Sequence, residues 1–244
     1  MTQNLGGAEV VWKRMSEHNT RSGQQHVVFE DGVDAGDVIQ GGLGDCYFLS
    51  AMAVLGSKHT RDKFIFLNTD DEFMTCGAFC IKFYEQGVED IIIIDDFLPL
   101  LFGTEHPFTN TGEDSKEIWP ILLEKAYAKK YGNYANIEGG LVDFALAEMT
   151  NGIPESMYTK DNQNLEKWWN QIFELYKQGN VHLGAGSPSH PNGDSAVSDM
   201  GIVQGHAFSI LKLVEADGVK LICIRNPHGR GEWTGDWSDD SDLW

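Results

Sequence analysis

The residues most able to do chemistry in this sequence lie in a glycine-rich turn that leads into an apolar segment. Gln40 is followed by Gly-Gly-Leu-Gly-Asp, then by Cys46 and a run of small and apolar residues that reaches Gly56. Glycines permit a tight turn and Asp45 is a good capping residue, so we predict a helix from Cys46 to Gly56. A thiol at a helix N-terminus faces free N–H groups and the positive end of the helix dipole. The turn therefore predicts a nucleophilic cysteine with a lowered pKa.

A lone cysteine in a helix is also common as a core residue, because a free cysteine packs like a small hydrophobic side chain. The nearby Gln40 and its glycines favour the catalytic interpretation. Catalysis would also need a histidine to take the thiol proton and a third group to hold the imidazole ring.

The stretch from Gln40 to Leu55 resembles the active-site segment of the calpain family of cysteine proteases, which has the pattern Gln-Gly-x-Leu-Gly-Asp-Cys-Trp. Tyr47 stands here in place of the tryptophan. Asp-Asp-Phe-Leu-Pro at 95–99 and the Glu-Ile-Trp segment at 117–129 are also similar to the family. The resemblance implies an α+β, papain-like fold of two lobes, a helical lobe with the cysteine and a β-rich lobe with histidine and asparagine. The active site would lie in the cleft between them.

The catalytic partners are implied by two later motifs. His206, in Gly-His-Ala-Phe-Ser, resembles the family's catalytic histidine, and Asn226, in Arg-Asn-Pro-His-Gly, resembles the asparagine that orients it. A predicted β-hairpin between the two motifs would bring Asn226 back beside His206. Cys46 would then be the nucleophile, with Gln40 and the Cys46 N–H stabilising the oxyanion. His228 occupies the position of a family tryptophan that shields the histidine–asparagine contact.

The remaining pattern predicts the surrounding elements. We expect a first lobe over 1–150, a second lobe over 151–244, and a boundary at the turn-forming residues 151–154. Periodicity predicts strands at 63–68, 77–85, 88–94, 206–214 and 219–225, helices at 115–131, 141–149 and 165–178, and a long loop at 184–201. The segment 95–99 is expected to close the strand before it. Most of the eight histidines are expected to be ordinary surface or hydrogen-bonded residues.

Composition narrows the classes of partner. The net charge is −19, from 37 acidic and 18 basic residues, which disfavours nucleic acid and anionic lipid and is compatible with divalent cations. The four cysteines include no Cys-x-x-Cys pair, and Cys76 and Cys80 are expected to be reduced. The longest aliphatic run, Ile91 to Ile94, is too short to cross a bilayer, and no secretory signal is visible. A cytoplasmic location without an integral membrane segment is the default expectation.

Calcium is implied by the resemblance, with one ion in each lobe. Residues 30–37 contain four acids and two glycines, a composition that is compatible with calcium but equally with a solvated connector. Matched to the family, the first-lobe ligands are the carbonyls of Glu30 and Gly32 and the carboxylates of Asp37 and Glu117, and the second-lobe ligands are Glu232 and Asp239. Because the family continues beyond the position of Trp244, we expect the second lobe and its calcium site to be incomplete.

These observations predict a calcium-dependent cysteine endopeptidase that cleaves polypeptides, with a regulatory subunit or inhibitor protein as a further implied partner. One alternative keeps the fold without the chemistry: a weakly active or inactive calpain-like protein that acts as a calcium-responsive protein-binding module. A second is a Cys-His acyl transferase such as a transglutaminase. Asn226 in place of an aspartate and the Gln40 turn disfavour that alternative.

Overall fold

The protein is a mixture of helices and sheets, described here from a computed structural model. The structure describes residues 10–20, 22–30, 32–57, 66–67, 76–101, 106–112, 115–161 and 164–244. The helices are α1 (Cys46–Gly56), α2 (Trp119–Lys130), α3 (Val142–Thr150) and α4 (Leu165–Lys177). The strands are β1 (Val10–Arg14), β2 (Ile39–Gln40), β3 (Ala78–Glu85), β4 (Val88–Asp95), β5 (Phe97–Leu101), β6 (Thr109–Asn110), β7 (Leu183–Gly186), β8 (Ala207–Ala216) and β9 (Val219–Arg225).

Helix α1 lies at the centre of the core and has the predicted bounds. Every residue of α1 after Cys46 is buried, as expected for a helix that is apolar on all sides. It packs against α3 on one side and against β8 on another. Ser209 Oγ of β8 donates a hydrogen bond to the carbonyl oxygen of Ser50, 2.9 Å away. This hydrogen bond connects the helix to the sheet.

The predicted hairpin at 77–94 is confirmed as β3 paired with β4. Its turn is formed by Gln86 and Gly87, with φ angles of 50° and 85°. Two consecutive residues with positive φ give the turn twist that matches a right-twisted hairpin. Phe79, Ile81 and Phe83 alternate along β3 and are all buried. The two-residue period of the sequence therefore identified the buried face correctly.

The segment at 95–99 closes β4 at Asp95, as predicted, and then begins a strand that was not predicted. Phe97–Leu101 forms β5 and pairs antiparallel with β1, with Pro99 opposite Trp12. A proline cannot donate a hydrogen bond to a sheet, but a two-stranded sheet leaves one side of each strand unpaired. Arg14 supports the pair through an ion pair with Asp96, Nη1 to Oδ1 at 2.6 Å.

Helix α2 begins later than the pattern predicted. Residues 115–118 lie outside it, because Glu117 bridges to Val27 and the Val27 N–H donates to the Lys116 carbonyl at 2.9 Å. The helix starts only at Trp119, where Pro120 fits in the first turn without losing a hydrogen bond.

Two other predicted helices are confirmed to within one residue. Helix α3 ends at Asn151, a C-cap residue with a left-handed φ of 60°. Helix α4 is capped by the Asn164 side chain, which accepts from the Lys167 N–H at 2.9 Å. The chain between α3 and α4 contains the exposed residues 151–158, which have no regular structure.

The last strands form a three-stranded sheet in the order β7-β8-β9. The hairpin of β8 and β9 is confirmed, with Asp217 and Gly218 at positive φ in its turn. The predicted loop at 184–201 is wrong at its start, because β7 pairs with β8. Its Leu-Gly-Ala-Gly sequence gives no strand signal, yet Gly184 is required by packing. A Cβ at Gly184 would lie 2.3 Å from Cγ1 of Val142.

The strand predicted at 63–68 lies mostly outside the described residues. Of the two residues that are described there, Phe66 forms an isolated antiparallel bridge with Ile81. Among all the described residues, no helix has both the length and the apolar character needed to cross a membrane.

The turn before α1 is shaped by close contact with the chain that leads into β6. A Cβ placed on Gly41 would lie 1.8 Å from the carbonyl oxygen of Phe108. The N–H of Gly42 donates to the carbonyl of Pro107 at 2.8 Å. Glycine at position 41 is therefore needed because two backbone segments touch.

Replacing Gly41 by alanine should destabilise the protein. The new Cβ meets a backbone oxygen that cannot move aside, and overpacking of this kind costs about 2 kcal/mol, which lowers Tm by about 6 °C in a chain of this size. Gly44→Ala is the matched control, because its nearest neighbour would be Cγ of Glu138 at 4.0 Å. Thermal unfolding of the two variants tests the contact; equal Tm values would contradict it.

Candidate active site

Cys46 is the first residue of α1, and its half-buried thiol lies against two backbone N–H groups. Burial raises the pKa of the thiol, while the N–H groups of Ala207 and Tyr47 act in the opposite direction. The net direction is upward, so the lowered pKa predicted from the helix N-terminus is wrong for this structure. The physical reason is that loss of hydration outweighs the backbone dipoles.

His206 is held by Asn226 in a single orientation. His206 Nε2 lies 2.9 Å from Asn226 Oδ1. The amide of Asn226 is itself fixed, because its Nδ2 donates to the Arg230 carbonyl at 2.7 Å and its Oδ1 accepts from the His228 N–H at 3.0 Å. Since Oδ1 can only accept, the hydrogen must reside on Nε2 of His206. Nδ1 is left as a buried lone pair without a hydrogen-bond partner among the described residues.

The Cys46 thiol lies beside the start of β8, next to the residue that carries the imidazole. The Ala207 amide beside the Cys46 sulfur belongs to the residue that follows His206. Burial lowers the pKa of His206, although the hydrogen bond to Asn226 opposes this. Both shifts favour the neutral thiol and the neutral imidazole over a thiolate–imidazolium ion pair.

Gln40 holds the glycine turn in place through both its side chain and its backbone. Its Nε2 donates to the Leu43 carbonyl at 2.7 Å, and its backbone N–H donates to the Pro227 carbonyl at 2.8 Å. Pro227 directly follows Asn226, so the turn before Cys46 is bound to the chain that carries the asparagine. One hydrogen of the Gln40 amide remains for another acceptor.

A pair of buried carboxyl groups supports the start of α1, and sequence reasoning missed it. Asp45 is completely buried and makes no capping hydrogen bond, contrary to its predicted role. Its carboxyl lies beside that of Glu124, which accepts from Thr109 Oγ1 at 2.6 Å. Burial raises the pKa of Glu124 to about 7, and burial together with Glu124 raises that of Asp45 well above its usual range. The two acids therefore hold a proton between them at neutral pH.

His228 occupies the position of the family's indole. Its ring stacks on His206 with centroids 4.4 Å apart and planes 25° apart. Its Nε2 lies 4.0 Å from Oδ2 of Asp194, an acid that the sequence gave no reason to select. The ligand atoms of Asp194, His206 and His228 all lie within 4.8 Å of one another. A titratable ring thus covers one face of the candidate base.

The acids predicted as first-lobe calcium ligands come together. Glu117 Oε1 accepts the N–H of Glu30 at 2.5 Å, while Asp37 Oδ2 accepts from Trp119 Nε1 at 3.2 Å. Burial raises the pKa of Glu117 to about 7, and the negative charges of Asp37 and Glu30 add to this. Gly32, with a φ of 120°, bends the chain between them. Gathered carboxylate oxygens that repel one another are a donor set that fits a hard cation.

The two acids predicted as second-lobe calcium ligands are solvent-accessible side chains near the end of the sequence. Glu232 and Asp239 are both exposed. Within the described part of the chain, neither belongs to a group of three side-chain donors close enough to share an ion, and the same is true of Asp37 and Glu117. Sequence reasoning also missed a link at Gly36, whose carbonyl accepts from Arg225 Nη2 at 3.3 Å. Arg225 therefore ties the acidic segment to β9.

Comparison with known proteins identifies the class. The family model described as "Calpain family cysteine protease" matches residues 2–244, so the chain belongs to that family. It is similar to "Calpain-type cysteine protease DEK1" of Zea mays, with 41% identity over 226 residues, or 90% of this chain and 10% of the relative. It is also similar to "Calpain-type cysteine protease ADL1" of Oryza sativa subsp. japonica, with 39% identity over 241 residues, 96% of this chain and 11% of the relative.

The chain covers a larger share of one animal relative. "Calpain-5" of Caenorhabditis elegans is 31% identical over 271 residues, which covers 97% of this chain and 40% of that protein. The chain thus spans about a tenth of the length of the two plant relatives and less than half of the animal one.

The raised pKa of Cys46 predicts how its alkylation depends on pH. The rate of reaction with iodoacetamide should rise about tenfold per pH unit from pH 6 to 8, because only the thiolate reacts. Subtracting the rate of Cys46→Ser removes the contribution of the other cysteines. His206→Ala should leave the slope nearly unchanged, since the resting thiol is not paired with an imidazolium. A rate that is independent of pH below 7 in the unaltered protein would show the ion pair instead.

Proposed function

We propose that this chain is the protease core of a calcium-dependent cysteine endopeptidase with a Cys46–His206–Asn226 triad. The supporting observation is the fixed contact of His206 with Asn226 beside the amide that touches the Cys46 sulfur. We infer a papain-like arrangement of two lobes, 1–150 and 151–244, with the cleft between α1 and the start of β8. Membership of the calpain family supports cysteine peptidase chemistry for this site.

The mechanism begins from the neutral pair. As the Cys46 sulfur attacks a peptide carbonyl, Nδ1 of His206 takes the thiol proton, and a carbon–sulfur bond forms. His206 then gives that proton to the departing amine, which leaves a thioester. Water, deprotonated by the same imidazole, breaks the thioester and restores the thiol. Asn226 keeps the ring aligned throughout and accepts from its Nε2–H.

The developing oxyanion needs donors, and the turn before α1 supplies them. The Cys46 N–H lies at the helix start, and the second hydrogen of the Gln40 amide is not used by Leu43. A donor of this kind lowers the activation barrier by about 3 kcal/mol. Because the Gln40 N–H donates to the Pro227 carbonyl, the oxyanion donors are held in position relative to the chain that carries Asn226.

Calcium dependence is part of the proposal for the first site. Asp37 and Glu117 would hold the ion with the backbone carbonyls of Glu30 and Gly32. When bound, calcium would offset the negative charges of Asp37 and Glu30, which add to the effect of burial on the pKa of Glu117. Arg225, which reaches the same segment at Gly36, would transmit the position of that segment to β9. We do not extend the proposal to Glu232 and Asp239.

An alternative is a weakly active calpain-like protein that binds other proteins in response to calcium. The raised pKa of Cys46 and the replacement of the shielding indole by His228 favour it, because both reduce the reactivity of the pair. In either case we propose polypeptides as the ligands, a regulatory subunit or inhibitor protein as a further partner and the cytoplasm as the compartment.

Casein cleavage under calcium titration separates the two proposals. The protease should cleave casein only with calcium, and Cys46→Ser should lower the rate by about 10⁴-fold or more. Glu117→Gln should raise the calcium requirement at least fivefold, whereas Glu155→Gln, at an exposed position, should not. Calcium-dependent binding of casein without cleavage would establish the alternative.

Replacing His228 by tryptophan should leave kcat/KM unchanged or raise it. A larger apolar ring would keep water from the contact of His206 with Asn226 and would remove a titrating neighbour. His190→Gln, an exposed histidine, is the matched control. Rates are compared from pH 6 to 9 on one fluorogenic peptide. A large fall caused only by His228→Trp would mean that His228 has a role of its own.

A further inference from the structure

Three histidines that are distant in the sequence form a cluster separate from the candidate active site. His18, His26 and His106 each offer a ring nitrogen, and these atoms all lie within 4.8 Å of one another. The three pairs of ring centroids are 5.1, 5.9 and 6.0 Å apart. Neither the triad nor the calcium ligands use any of these residues.

Inside the cluster, the His18 Nδ1–H donates to the lone pair of His26 Nε2. His26 Nδ1 lies 3.3 Å from the Lys116 carbonyl and donates to it, so its Nε2 carries a lone pair. That Nε2 is 2.9 Å from Nδ1 of His18. Both ring nitrogens of His106 are buried without a hydrogen bond to the described residues, with the Pro99 carbonyl nearby. An imidazole buried in this way lacks a partner that a cation would supply.

We propose that His18, His26 and His106 bind a divalent transition-metal ion, with zinc as the best fit. A tetrahedral ion about 2.0 Å from each nitrogen places the nitrogens about 3.3 Å apart and the ring centroids about 5 Å apart. The observed centroid distances of 5.1, 5.9 and 6.0 Å would have to shorten by up to about 1 Å, and the hydrogen shared by His18 and His26 would give way to the ion. Three imidazoles leave the fourth position for water.

The donor chemistry separates this site from the calcium site. Imidazole nitrogen suits zinc, copper and nickel, whereas calcium prefers oxygen ligands. Metal binding also requires neutral imidazoles. Burial lowers the pKa of all three rings, that of His106 to about 4. Lys13, whose charge also acts on His18, is an unfavourable neighbour for a cation and will limit the affinity.

The position of the cluster indicates what the ion would do. The carbonyl that orients His26 belongs to Lys116, the residue before the calcium ligand Glu117. His106 precedes Pro107, whose carbonyl accepts the Gly42 N–H of the turn that leads to Cys46. The ion would therefore tie the N-terminal segment to the chain that supports this turn. The ring of His26 is oriented by its hydrogen bond to the Lys116 carbonyl, as metal-binding histidines usually are.

Cobalt(II) titration of the whole chain tests the proposal, because tetrahedral cobalt absorbs visible light and reports its ligands. One equivalent should bind with tetrahedral absorption, without a thiolate charge-transfer band, and zinc should displace it. His18→Gln and His106→Gln should each weaken binding at least tenfold. His190→Gln is the control for loss of an unrelated histidine. Circular dichroism of each variant verifies folding, and half-buried His18 is the milder change.

The other group of three donors in the described residues, Asp194, His206 and His228, needs its own control. His228→Trp removes a ligand from that group and should leave cobalt binding at His18, His26 and His106 intact. Loss of binding in His228→Trp, binding that survives both His18→Gln and His106→Gln, or no binding at about 1 mM cobalt would overturn the proposal. None of these readouts requires protease activity, so the result is independent of the proposed function.

Discussion

The candidate active site depends on the packing of one buried helix, α1, against one strand, β8. The hydrogen bond from Ser209 to the Ser50 carbonyl crosses this contact, and so does the approach of the Cys46 sulfur to the Ala207 amide. A second connection runs from the N–H of Gln40 to the Pro227 carbonyl. Because these links surround the nucleophile and the base, any shift of the helix changes the distance over which a proton must move.

Acidic groups are used in two different ways in a chain of net charge −19. Asp45 and Glu124 are fully buried, and they avoid repulsion by keeping a proton. Glu117 is buried and Asp37 is half-buried beside it, and burial together with the charge of Asp37 raises the pKa of Glu117 to about 7. The first pair supports the start of α1, whereas the second pair lies at the calcium site that we propose.

Sequence analysis predicted what local chemistry decides. The bounds of α1, the strands of the β3–β4 hairpin and the extent of α4 to within one residue follow from residues close together in the chain. Sequence analysis failed where a residue distant in the sequence determines the local structure or the pKa. Strand β7 exists because β8 hydrogen-bonds it, the first residues predicted for α2 are held by Val27, and the thiol pKa follows from burial. The contact of Glu124 with Asp45 and the histidine cluster leave no trace in any short window.

The Ala207 amide has a consequence for observing this protein. It is a backbone group of a regular strand, yet it points at the sulfur rather than at solvent. Its nitrogen and hydrogen resonances in an NMR spectrum will therefore change when the sulfur is oxidised, alkylated or acylated. A single assigned peak thus reports the chemical state of the nucleophile without any label attached to it.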